Sequence, residues 1–176
     1  MSTFGAADSP LGSWRLPREV ETDPRHQEIL AALGRAPRKL WSGGTLDTAV
    51  VPFGADLKRA LQKSQTTVHL VRGLETAATA LEAEQRGLAA LDSETAGRQG
   101  QRVSRLLLIT NDGAERFYRQ VERLALTHAP RVLVCVVECD SQVLGALLYG
   151  EDAVAKLVLT THKATATTIL RALAGS

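Results

Sequence analysis

At 176 residues the chain is long enough to enclose one hydrophobic core and too short for two comfortable domains. Apolar residues make up 44% of it and aromatic residues only 4%, so the core is to be built from Leu, Val, Ile and Ala. A formal net charge of +2 excludes a whole-molecule basic field and a non-specific nucleic-acid coat, so any RNA contact must be local and shaped.

Residues 1–24, with Gly5, Pro10, Gly12, Pro17 and Pro24 among scattered polar residues, read as a flexible arm that Trp14 and Leu16 could pin to a surface groove. No apolar stretch in it resembles a secretory signal. Residues 25–54 read as an N-terminal helical extension. Ile29, Leu30 and Leu33 mark one helical face in Arg25–Arg35, and Gly34 and Pro37 close it. Ser42-Gly43-Gly44 is a turn, Thr45–Val50 is ambiguous, and Pro52 and Gly54 interrupt again.

Residues 55–176 read as the α/β domain proper. Ala55–Lys63 is a predicted helix with Leu57, Ala60 and Leu61 inward and Lys58, Arg59 and Lys63 outward. Thr66–Val71 has the β-branched content and alternation of a strand, with Val68 and Leu70 on one face, and Gly73 ends it. Leu74–Leu91 is a helix. Asp92–Ser104 has no apolar periodicity and reads as a mobile loop, in which Arg98, Arg102 and the following Arg105 could extend a basic patch.

Leu106–Ile109 and Val132–Val137 are apolar runs of the kind buried on both faces of a sheet. Between them, Asp112 and Glu115 have the spacing of a capping box for a helix that turns Phe117, Val121, Leu124 and Ala125 inward and is stopped by Pro130. Asp140 or Ser141 caps a short helix through Leu148, closed by Gly150; Ala155–Thr161 is a strand and Lys163–Ala174 the last helix. Strands alternating with helices imply a sheet covered on both faces, a three-layer α/β/α sandwich.

Several runs then resemble the kink-turn RNA-binding ribosomal-protein family of the L7Ae/L30e type. Arg72-Gly73-Leu74-Glu75-Thr76-Ala77-Ala78-Thr79-Ala80-Leu81 is similar to that family's strand-to-helix turn. Leu106 to Ala114 resembles its apolar strand with an acidic helix cap, Val137 to Gly145 its second recognition loop, and Ala155–Leu159 its last strand. A second register puts Gly43 or Gly44 in the place of the family glycine, at the expense of a long insertion before Leu106.

The resemblance implies an L30e-like fold and an RNA-binding protein, a component or assembly factor of a ribonucleoprotein such as a ribosome or RNA-processing particle. It implies no cofactor, and structured RNA and other proteins as partners. The implied RNA-binding residues are Arg72 and Gly73, then Glu75, Thr76 and Thr79 where the family carries Asn, Glu and Lys, with Val143 and Leu144 from the second loop. Lys58, Arg59 and Lys63 are the basic residues expected to bracket the turn. The alternative is an L30e-like protein-interaction module in a larger complex with the RNA motif lost.

No nucleotide-binding, nucleophile-elbow or zinc-protease motif occurs, and no enzyme activity, metal or small-molecule substrate is expected. His26, His69, His128 and His162 are isolated in sequence. Cys135 and Cys139 are expected as buried free thiols in a reducing compartment. No run approaches the roughly 18 apolar residues of a membrane span, so no membrane partner is expected. Cytoplasm or nucleus is the expected location, with an organelle left open.

Overall fold

A computed structural model describes residues 14–91 and 101–175. Six strands form one mixed sheet: β1 (Arg38–Lys39), β2 (Asp47–Val51), β3 (Leu70–Arg72), β4 (Arg105–Ile109), β5 (Val132–Val137) and β6 (Leu157–Thr160). Their order is β1-β2-β5-β4-β6-β3. Strands β2, β5 and β4 run parallel, with Ala49 opposite Cys135 and Leu107 opposite Val134. β6 is antiparallel to both β4 and β3, and β1 is antiparallel to β2.

The helices are α1 (Arg18–Glu21), α2 (His26–Gly34), α3 (Ala55–Thr66), α4 (Leu74–Ala90), α5 (Glu115–Thr127), α6 (Ser141–Tyr149) and α7 (Lys163–Ala172), followed by a 3-10 turn, Leu173–Gly175. Alternation along the buried strands divides the core in two. Leu106 and Leu108 of β4 and Leu133, Cys135 and Val137 of β5 face α1, α2, α3, α6 and α7. Leu107, Ile109, Val132, Val134 and Val136 face α4 and α5. The three-layer α/β/α sandwich expected from the strand–helix alternation is the architecture of the chain.

Where expectation and structure differ, each difference has a local cause. Residues 25–54 do not stand apart as a helical extension: β2 adds to the sheet beside β5, and Ile29, Ala32 and Leu33 of α2 are core. The described part of the expected arm, from Trp14 on, is anchored by buried Leu16 and Val20. The loop expected at 92–104 lies outside the described residues through position 100. Beyond it, Val103 is fully buried and its N–H bonds to the Arg15 carbonyl at 2.7 Å, so the end of that segment is fixed rather than mobile.

Of the strand expected at Thr66–Val71, Thr66 ends a helix, Thr67 and Val68 turn, and Leu70 and Val71 are strand. Thr66 and Thr67 donate their hydroxyls to the carbonyls of Gln62 and Lys63, bonding back to the last turn of α3, whose Lys63 carbonyl also accepts the Thr67 N–H at 3.1 Å. Val68, expected on one strand face with Leu70, takes φ +59° in the following turn and is exposed while Leu70 is buried. Only Leu70–Arg72 pairs with β6.

Asp112 does not cap α5, whose N-cap is Ala114; Glu115 instead pairs with Arg119. The face that α5 buries carries Tyr118, Val121, Glu122 and Ala125, and Phe117 and Leu124 are only partly covered. Asp140 caps α6 as expected, accepting from the Val143 N–H at 2.8 Å.

Candidate nucleic-acid interface

Parallel sheets tend to take ligands outside the carboxyl ends of strands whose following helices leave on opposite faces. Here that point lies between β4, followed by α5 on one face, and β5, followed by α6 on the other. Asp112 fills it. Its carboxylate accepts from the Ser141 N–H at 3.1 Å, the Ser141 hydroxyl at 2.7 Å and the Thr110 hydroxyl at 2.7 Å.

Burial acts to raise the Asp112 pKa, but the hydrogen bonds from Ser141 and Thr110 outweigh it and hold the carboxyl below its ordinary value. Asp112 and Asp140 thus occupy N–H donors of the first turn of α6, which leaves that helix start poorly suited to a phosphate. The arrangement ties two strand exits together.

The start of α4 is different. No side chain caps it, and Gly73 precedes it at φ +94°, its N–H held by the Leu157 carbonyl at 3.0 Å. A Cβ built on Gly73 would meet nothing within 4 Å, so backbone conformation rather than crowding demands glycine here. Just before it, the exposed Arg72 guanidinium lies 4.4 Å from the centre of the Tyr149 ring. Glu75, Thr76 and Thr79 follow, all exposed on α4.

Five of the expected residues, Arg72, Gly73, Glu75, Thr76 and Thr79, therefore share one sheet edge. The others do not gather around it. Lys58 sits over the Phe53 ring at 4.9 Å, and its charge acts on Cys139 just past β5. β5 is three strands from β3 in the sheet, about 14 Å at ordinary strand spacing. Arg59 is paired with Asp56. Lys63, in the last turn of α3, lies toward the end of the sheet where β3 begins and Arg72 toward the end where β3 stops, because α3 starts at the end of β2 and runs back against the strand direction.

Val143 is exposed on α6, but Leu144 is fully buried against the sheet and cannot meet RNA. Arg102 pairs with Glu21 at 2.8 Å, and Arg105 pairs with Glu84 at 2.7 Å. Neither extends a free basic patch. The dispersal follows from the crossover of α3 over a whole sheet face, which sequence proximity conceals.

Sequence reasoning missed Glu122. Only 7% exposed, it accepts from Trp41 Nε1 at 2.8 Å, the Thr45 N–H at 2.9 Å and the Leu46 N–H at 2.8 Å. Its position beside Val121, on the stripe shared with Tyr118 and Ala125, was the available signal. The structure also joins two histidines that are far apart in sequence: the His69 and His162 rings lie 3.9 Å apart. Among the described residues no group of three His, Cys, Asp or Glu side chains could hold a metal ion. No helix among them is long and apolar enough to cross a membrane.

Cys135 and Cys139 are both buried free thiols. Burial pushes Cys135 up to about 12, and burial with the nearby carboxylates of Asp140 and Asp112 pushes Cys139 up to about 11. Because the thiolate is the nucleophile, native protein at pH 8 is expected to react with iodoacetamide much more slowly than unfolded protein. Equal rates in the two states would contradict this burial.

The fold thus defines a three-layer α/β/α protein with a mixed sheet, at whose edge the uncapped α4 starts behind Gly73. No protein-family model matches the chain, and no curated protein matches it. Among solved structures it is similar to a protein of unknown function from Bacillus halodurans C, with a TM-score of 0.49 and 14% identity, covering 70% of this chain and 100% of that one.

Proposed function

We propose that the chain is an RNA-binding component of a ribonucleoprotein, which contacts structured RNA at the edge where β3 passes into α4. The observation that carries the reading is the exposed Arg72 guanidinium, steadied over Tyr149 and placed directly before the positive-φ Gly73 and the uncapped start of α4. A planar cation beside free backbone donors suits a phosphate, and a residue without a side chain lets the RNA backbone come close. The resemblance of Arg72-Gly73 to the kink-turn family's turn supports the same reading. No residue in this role performs covalent chemistry.

A second reading, a protein-interaction module, is favoured by one observation. Val143 on α6 and Val154 in the segment after it are 45% and 51% exposed, and Glu75 puts a carboxylate where phosphate would approach.

The test is a titration of a labelled RNA stem containing an asymmetric internal bulge, with an unbulged duplex as control, at two salt concentrations. Arg72→Ala is expected to weaken binding and to lower the salt slope by about one phosphate contact. Gly73→Val is expected to strain the free protein by about 1–3 kcal/mol, because φ +94° with ψ 154° is backbone that almost only glycine adopts, and to weaken RNA binding further by blocking close approach. Circular dichroism checks that both variants fold. Unchanged affinity and slope in folded Arg72→Ala would remove this edge as an RNA surface and leave the protein-interaction reading.

A further inference from the structure

We propose that the groove between α4 and α5 binds a small amphipathic organic anion, an apolar body ending in a carboxylate or phosphate. The groove has a volume of about 590 Å³, within the range of small-molecule sites. It lies on the face opposite α6, and its lining includes none of Arg72, Gly73 or Tyr149. Its apolar lining comes from Leu74, Ala78 and Leu124.

Charge in the groove favours an anion. Arg86 enters from α4 and Arg123 from α5, both exposed, and neither has an ion-pair partner among the described residues. One carboxylate, Glu82, lines the same groove, so two guanidiniums stand against a single negative charge. An anionic head between the two arginines would link both walls while its body covers the apolar lining.

The second observation is His128, which lines the groove and is 4% exposed. Its Nδ1 lies 3.4 Å from the Arg131 guanidinium. A guanidinium only donates, so Nδ1 is the acceptor and the neutral ring carries its proton on Nε2. Burial, with the positive charge of Arg131, lowers the His128 pKa and favours this neutral form. Nε2 has no hydrogen-bond partner, so a buried donor is left unused at the groove wall. A ligand oxygen would satisfy it once the His128 ring turns to bring that nitrogen to the groove surface.

Titration calorimetry of the full chain with decanoate and decyl phosphate, below their micelle concentrations, tests the proposal, with decanol and decylammonium as controls. Saturable binding of at least one anion is expected, with decanol weaker and decylammonium weakest. The tighter of the two anions identifies the head group. Arg86→Gln and Arg123→Gln should each weaken binding about two- to fivefold, as exposed charges do. Ala78→Trp should abolish it by filling the groove. The exposed arginines are dispensable for folding, so their variants decide the matter even if Ala78→Trp misfolds. Absence of saturable binding by both anions, equal binding of decylammonium, or unchanged affinity in the double arginine variant would overturn the proposal.

Discussion

Replacing Glu122 by Gln is expected to lower the unfolding free energy by about 2–4 kcal/mol, because a buried acceptor of three hydrogen bonds becomes partly a donor. The carboxylate serves Trp41 Nε1 with one oxygen and the Thr45 and Leu46 N–H groups with the other. An amide can keep its oxygen toward one side only, and its NH₂ then opposes an N–H on the other. For a chain of this size the loss corresponds to a melting temperature lower by roughly 4–16 °C. The same substitution should change the pH profile. Burial acts to raise the Glu122 pKa, but the bonds from Leu46, Trp41 and Thr45 outweigh it and hold the folded value below the ordinary 4.5. A depressed folded pKa gives stability that is present above the unfolded value and lost as pH falls through the folded one. Wild-type protein should therefore lose stability below about pH 4.5, and Glu122→Gln should lose less of it there. Urea unfolding at pH 7 and pH 4 measures both effects. A Gln variant within about 0.5 kcal/mol of wild type at pH 7, with an unaltered pH profile, would show that the carboxylate does not anchor the 41–46 segment.

Gly145→Val is expected to be comparably damaging, and for a different reason. A Cβ at Gly145 would stand 2.1 Å from the Ala153 carbonyl oxygen and 2.5 Å from its carbon, so the backbone of residues 153–154 must move away from α6. Overpacking of this kind costs about 1–3 kcal/mol, occasionally more, and a neighbour that is backbone cannot rotate aside. The effect reaches the proposed RNA edge, because α6 ends in the Tyr149 ring that supports Arg72. RNA affinity should therefore fall along with stability. Gly87→Ala is the control: it lies in α4 with nothing within 4 Å of the added Cβ, and should stabilise the chain by about 0.5–1 kcal/mol. Thermal unfolding of the two variants side by side checks the contrast. Equal effects in both would mean that contact at Gly145 is not what limits it.

The segments legible in the sequence are those whose neighbours in the chain decide their structure. Val132–Val137 reads as a strand and is β5, residue for residue, because a short apolar run with four valines suits a strand buried on both faces. The outward Lys58, Arg59 and Lys63 and inward Leu57, Ala60 and Leu61 of α3 follow from helical periodicity alone. The strained Gly73 was visible as a glycine between a strand and a helix. By contrast, Thr66 and Thr67 have strand propensity, yet their hydroxyls serve helix carbonyls, and composition does not separate those uses.

Local pattern thus determined the layers, most element boundaries and the position of the β3–α4 turn, since burial imposes a period on each segment by itself. Tertiary structure decided what meets across the chain. It paired β2 with β5, turned Asp112 from an expected helix cap into a tie to Ser141, and placed Glu122 under Trp41. It also separated Lys63 from Arg72 and set α4 and α5 apart with a groove between them. These outcomes rest on contacts between residues remote in sequence, whose geometry exists only once the sheet order has brought their strands and helices together.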